Sequence, residues 1–123
     1  MTTKIRGKVI HGDGYGKILG FPTANLDRRD YIRKKMKIRL GVWAGTASAG
    51  SKIYKAGIVI GPLDKQRLPK IETHFIGFKG SLYGKSITIE LQKYLRPFKN
   101  YGNVNKLKKQ IASDVKKIKL IIK

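Results

Sequence analysis

The chain has no cysteine, which excludes a disulfide framework and any thiolate-ligated metal. It is nearly as poor in acids. Seven Asp and Glu stand among 123 residues, and only two of them are glutamates, Glu72 and Glu90. The two histidines, His11 and His74, share no metal-ligand spacing with another His or a carboxylate pair. No Ser-His-Asp or paired-carboxylate arrangement suggests itself. Long apolar runs are missing too: Leu120-Ile121-Ile122 is typical, far short of the roughly 20 residues that span a bilayer. Met1-Thr2-Thr3-Lys4 lacks the apolar stretch of a signal peptide. No internal repeat or low-complexity tract occurs. These absences lead us to expect one domain over residues 1–123, soluble and cytoplasmic.

What the chain has in excess is positive charge. Lys and Arg number 28, for a formal net charge of +21 and a pI near 10.4. Such a surface attracts polyanions, so nucleic acid is a candidate partner. Lysine supplies 21 of the 28, whereas bidentate base readout favours arginine. The basic residues are also spread along the whole chain. A solvated basic surface that helps draw in an anionic substrate explains the same composition. Hydrophobic residues make up 41%, ordinary for a globular protein.

Periodicity organises the chain. Lys4 to His11 suits a strand. Gly12, Gly14, Gly16 and Gly20 then make a shaped loop of the stretch that follows. Asp27 to Arg39 is densely charged and reads as an exposed connection. Gly41 to Ala47 and Ile53 to Ile60 read as strands, with Leu63 to Pro69 as a polar loop. In Lys70 to Phe78, an extended chain puts Ile71, Thr73 and Phe75 on one face and Glu72, His74 and Ile76 on the other. Gly80 to Gly84 is a turn, and Ser86 to Leu95 alternates with Ile87, Ile89 and Leu91 on one side. After the loop from Pro97 to Asn103 the period changes. Val104, Leu107, Ile111, Val115, Ile118 and Ile122 recur every three or four residues, an amphipathic helix with Asn103 or Asn105 as cap. Its lysine-rich end could also rest on a membrane surface. Five or six strands and one helix point to a small antiparallel barrel or sandwich with a helix packed on it.

Some residues could do chemistry. The glycines of residues 12–20 could bring backbone N–H groups close to phosphate oxygens or simply make turns; no Walker Gly-Lys-Ser/Thr follows. Thr23 and Asn25 offer hard neutral oxygens suited to Mg²⁺, or to capping a turn. Glu72, just after a loop, could take a hydroxyl proton during phosphoryl transfer, or pair with a lysine. Glu90 reads as part of a solvated strand face, and Trp43 as core.

The ordered motifs resemble the riboflavin kinase family, specifically the kinase module of bacterial bifunctional riboflavin kinase/FAD synthetases. They begin with Gly7-Lys8-Val9-Ile10-His11-Gly12-Asp13, then Gly16, then Leu19-Gly20-Phe21-Pro22-Thr23-Ala24-Asn25-Leu26. Gly41-Val42-Trp43-Ala44, Ile60-Gly61, Glu72-Thr73-His74 and Leu82-Tyr83-Gly84 follow, then Leu95-Arg96, Tyr101, Leu107, Gln110-Ile111 and Asp114. The resemblance covers nearly the whole chain. It implies an all-β fold, a six-stranded antiparallel Greek-key barrel with a C-terminal α-helix packed on it. It implies transfer of a phosphoryl group from ATP to the 5′-hydroxyl of riboflavin, giving FMN as product rather than prosthetic group. Gly12, Gly14, Gly16, Lys17 and Gly20 would lie over the nucleotide, with Thr23 and Asn25 binding it and ligating Mg²⁺. Glu72 would be the general base. Arg96, Tyr101 and Leu107 would line the flavin side, with the helix from Val104 helping to form that wall. Pro62-Leu63-Asp64-Lys65 departs from the family's usual turn, Gly77 stands where an Asp is frequent, and Lys17 replaces a frequent Arg. With no adenylyltransferase module, FMN but not FAD is expected, from a monomer whose partners are riboflavin and ATP. The alternatives are a basic nucleic-acid-binding barrel and a non-catalytic flavin-binding module.

Overall fold

The computed structural model describes residues 3–10, 23–78, 80–99 and 101–122. Within them run strands β1 (Thr3–Ile10) and β2 (Thr23–Leu26), helix α1 (Arg29–Arg33), and strands β3 (Gly41–Ala49), β4 (Lys52–Leu63), β5 (Pro69–Phe75) and β6 (Ser86–Arg96). Helix α2 (Val104–Ile121) ends the chain. Every strand pairing is antiparallel, and the strands close into a barrel in the order β1-β2-β5-β4-β3-β6. β3, β4 and β5 form a meander, while β2 and β6 cross to non-sequential neighbours. This is the Greek-key barrel with a C-terminal helix that the sequence led us to expect.

Alternation builds the wall. In β5 the residues Ile71, Thr73 and Phe75 are buried while Lys70, Glu72 and His74 lie outward. In β6 the inward set is Ile87, Ile89 and Leu91. Ile5, Val9, Leu26, Ala47, Ala56, Ile58 and Ile60 complete the lumen, and Tyr31 and Leu82 pack against it from outside the strands. Burying each isoleucine contributes about 1.5–3 kcal/mol relative to leaving it in water. Tyr54, Phe75 and Phe78 pack as a trio of rings with centroids 5.5–5.8 Å apart. At Gly45, where β3 shifts register against β6, a Cβ would sit 1.8 Å from the Glu90 carbonyl oxygen, so only glycine fits.

Helix α2 lies on the outside of the barrel. Its stripe meets a second apolar cluster of Ala44, Ile118 and Ile122, flanked by Ile76 and Leu95. Gly57 of β4 admits the helix, since a Cβ there would lie 3.2 Å from the Ile118 side chain. Asn103 is the cap: its Oδ1 accepts the Lys106 N–H at 2.8 Å. Val104, assigned to the stripe by its spacing, is exposed at the helix start.

Three expectations fail. Asp27 to Arg39 is not merely an exposed connection. It contains α1, and Tyr31, Met36 and Ile38, with Leu40 just beyond it, pack against the core. Asp30 is buried because it is satisfied: its carboxylate accepts the Arg6 backbone N–H at 3.0 Å and pairs with Arg33 and Lys34. The Arg6 hydrogen bond above all holds its pKa below the usual carboxylate value, against the effect of burial. The stretch from Leu63 to Pro69 is also less of a loop than it reads, since Leu63 ends β4 and pairs with Pro69 of β5. In the other direction, β5 stops at Phe75, and the chain turns at Gly77 with φ +84°. Trp43 sits at the edge of the core, half-buried, its ring edge-on to Tyr94 and its indole N–H donating to the Arg39 carbonyl at 3.0 Å.

Candidate active site on the outer barrel wall

Residues 23–26 form a strand, not a turn, and this places the candidate residues. Ala24 and Leu26 point into the barrel, so Thr23 and Asn25 point out. β2 pairs with β5 so that Thr23 lies opposite His74 and Asn25 opposite Glu72. All four side chains therefore share one patch of the outer wall, with opposite Cβ atoms about 5 Å apart. Glu72 is mid-strand rather than at a strand end, opposite Val59 on its other side, and His74 is opposite Gly57. Period-two alternation thus puts core and site on the same seven residues of β5.

The chemistry of the patch is specific. It offers a hydroxyl, an amide oxygen and a carboxylate within reach of one another. Burial lowers the His74 pKa, which keeps the imidazole neutral at pH 7. Among the described residues no group of three or more His, Asp or Glu could hold a metal by itself. Two neutral oxygens fit instead a hard cation that arrives with a phosphate-bearing ligand and keeps most of its waters. Strand β1 ends at Ile10, which pairs with Asn25, and the described chain resumes at Thr23. Gly12, Gly14, Gly16, Lys17 and Gly20, assigned to the nucleotide, lie outside the described residues, as does His11.

Of the residues assigned to the flavin side, Arg96 and Tyr101 lie near each other, away from the patch. Arg96 pairs with Val42, Val42 with Val59, and Val59 with Glu72, so Arg96 is three strands from Glu72, about 14 Å. Its guanidinium grips Asp114 of α2, with Nη2 to Oδ2 at 2.7 Å and Nε to Oδ1 at 3.1 Å. Gln110 donates to the same carboxylate at 2.9 Å. Burial works against the Arg96 charge, and the Asp114 carboxylate more than offsets it, so the arginine pKa is raised. The Tyr101 ring lies 5.7 Å from the Arg96 guanidinium carbon, and Leu107 of α2 is half-buried. Arg96 is therefore the bolt that holds the helix to β6. Sequence reasoning gave Asp114 no role, because an 18-residue separation between two elements carries no local signal. It also passed over Phe98, an exposed ring lying against Gly61 in the same loop as Tyr101.

A closed antiparallel barrel with a polar constellation on its outer wall and a C-terminal helix docked outside it is the class that fold and site define. The sequence model described as Flavokinase: Riboflavin kinase matches residues 1–122, and the chain belongs to the riboflavin kinase family of phosphotransferases. Riboflavin kinases of mouse and human are 35% identical over 119 residues, covering 93% of this chain and 77% of theirs. A bifunctional riboflavin kinase/FMN adenylyltransferase of Mycoplasma pneumoniae is 33% identical over 89% of this chain, which spans 39% of that protein. Riboflavin kinase from Trypanosoma brucei shares the fold, with TM-score 0.69 at 24% identity over 96% of this chain and 78% of that one. A Streptococcus pneumoniae structure described as a macrolide-efflux protein matches with TM-score 0.79 at 24% identity over 92% of this chain and 37% of that one.

Proposed function

We propose that this chain is an ATP:riboflavin 5′-phosphotransferase that makes FMN, with Glu72 as general base. The family membership and the pairing of Asn25 with Glu72 on one outward face support this reading. Thr23 and Asn25 hold the nucleotide with its Mg²⁺, which when bound supplies charge neutralisation at the phosphates. The Glu72 carboxylate accepts the proton of the ribityl 5′-hydroxyl as that oxygen bonds to the γ-phosphorus and the bond to the ADP oxygen breaks. Phosphoryl transfer needs alignment and a poised nucleophile more than covalent help, and a rigid β-wall supplies alignment. The glycines of residues 12–20, with Lys17, cover the phosphates. Arg96, Tyr101 and Leu107 shape the flavin side, Arg96 chiefly by holding α2 in place. A cytoplasmic location and action as a monomer belong to the same reading. Among the described residues no helix is long and apolar enough to cross a membrane.

The test is Glu72→Gln, which keeps shape and removes the base. Turnover should fall by about 10²- to 10⁴-fold while ATP affinity and melting temperature stay unchanged. Near-normal turnover would remove Glu72 from the mechanism.

A further inference from the structure

Beyond the end of β2, where α1 lies along β1, the outer wall carries a second feature that the kinase reading does not use. A groove of about 530 Å³ runs between β1 and α1, lined by Arg6, Gly7, Lys8, Asp27, Arg29, Asp30 and Arg33. Four of these are cations. The two carboxylates accept backbone N–H groups, Asp30 that of Arg6 and Asp27 that of Arg29 at 2.8 Å, and each also pairs with a groove cation, Asp27 with Arg29 at 3.2 Å and Asp30 with Arg33 at 2.6 Å. The Arg29 and Arg33 side chains are still 92% and 76% exposed. Among the described residues no acid pairs with Arg6 or Lys8. Both are exposed on the outer face of β1, and Lys4 precedes them in the same row.

Lys4, Arg6 and Lys8 recur every second residue of one strand, about 6.7 Å apart. That spacing is comparable with the separation of neighbouring phosphates along a nucleic-acid strand. Across β6 the row meets hydroxyls, Thr88 opposite Arg6 and Ser86 opposite Lys8. Glu90, opposite Lys4, is already engaged by Lys4 and by Gln92. Among the described residues no aromatic or large aliphatic side chain lines the groove. That argues against insertion into a lipid surface and against base stacking, and for contacts to a charged backbone. A row of repeated cations also fits a linear polyanion better than a single small anion.

We propose that the outer face of β1, with the rim of α1, binds the phosphate backbone of a single-stranded nucleic acid, without sequence preference and apart from the kinase site. The test uses a fluorescein-labelled 20-nucleotide oligouridylate and fluorescence anisotropy over a salt series. The Arg6→Thr/Lys8→Thr variant should make the log affinity–log salt slope shallower by about 1.4 and weaken binding about 25-fold at 0.1 M salt. The Lys116→Ser/Lys117→Ser variant, with the same change of charge on α2, should bind like the parent chain. FMN production should be unchanged in both, which also reports that they fold. Arg29→Ser gives an independent disturbance of the same groove and should weaken binding in the same direction. Equal loss in the β1 and α2 variants would overturn the proposal, because net charge alone would then explain binding. So would displacement of the oligonucleotide by Mg-ATP together with a raised KM for ATP in the β1 variant, since the groove would then be part of the kinase site. Absence of binding near physiological salt, or binding only to vesicles rich in anionic lipid, would overturn it as well.

Discussion

The two faces of the wall formed by β2, β5 and β4 are made by alternate residues and do different work. The inner face is Ala24, Leu26, Ile58, Ile60, Ile71, Thr73 and Phe75, closely packed and shielded from water. The outer face has Thr23, Asn25, Glu72 and His74, with helix α2 docked nearby through a small apolar seam and one ion cluster. Close packing lets the inner face fix the backbone positions from which the outer side chains project. Inner substitutions should therefore change stability before chemistry, and outer ones chemistry before stability.

Ile58→Ala should test the inner side most severely. It empties a fully buried site and should cost about 2–5 kcal/mol of unfolding free energy by denaturant titration. KM for both substrates should hold wherever the protein remains folded. If instead KM moved and stability did not, the division between faces would be wrong. Asp114→Asn probes the seam, where Arg96 and Gln110 converge on one buried carboxylate. Losing a charged hydrogen-bond partner should cost about 2 kcal/mol. Hydrogen exchange should quicken in the α2 amides while β3 to β5 stay protected, and KM for riboflavin should rise more than KM for ATP. Uniform quickening across the barrel would mean that the helix is not a separate unit.

Thr73→Val sharpens the comparison from within the core. The Thr73 hydroxyl is fully buried and has no hydrogen-bond partner, so an isosteric methyl should stabilise by about 1 kcal/mol in thermal melts. Destabilisation would show that the hydroxyl is satisfied in solution.

The smallest effect concerns pH. Burial lowers the His74 pKa, so the unfolded chain binds more protons as pH falls through 6.5. Stability should decline on going below that pH and recover above it, and His74→Gln should flatten this part of the profile. An unchanged slope in His74→Gln would assign the decline to another group.

Much of this architecture is legible in the sequence, because alternation in β5 and β6 and the three-to-four spacing of α2 are strong local signals. β2 is not legible as a strand. Four residues after a proline, two of them Thr and Asn, look like a turn, and only pairing with β1 and β5 makes them extended. The charge of residues 27–39 hides Tyr31, Met36 and Ile38, which anchor the segment on the barrel. For the site, the residue types of Thr23, Asn25 and Glu72 stand out, but their meeting depends on strand register, a non-local property. The Arg96–Asp114 bolt depends on helix docking in the same way.

The most direct test of the account is to supply the purified protein with riboflavin and Mg-ATP and to follow products by chromatography, with CTP in a parallel reaction. The account predicts FMN and ADP in equal amounts with ATP as donor. Folded protein that yields no FMN with ATP would contradict it, and FMN from CTP alone would overturn the assignment of the donor.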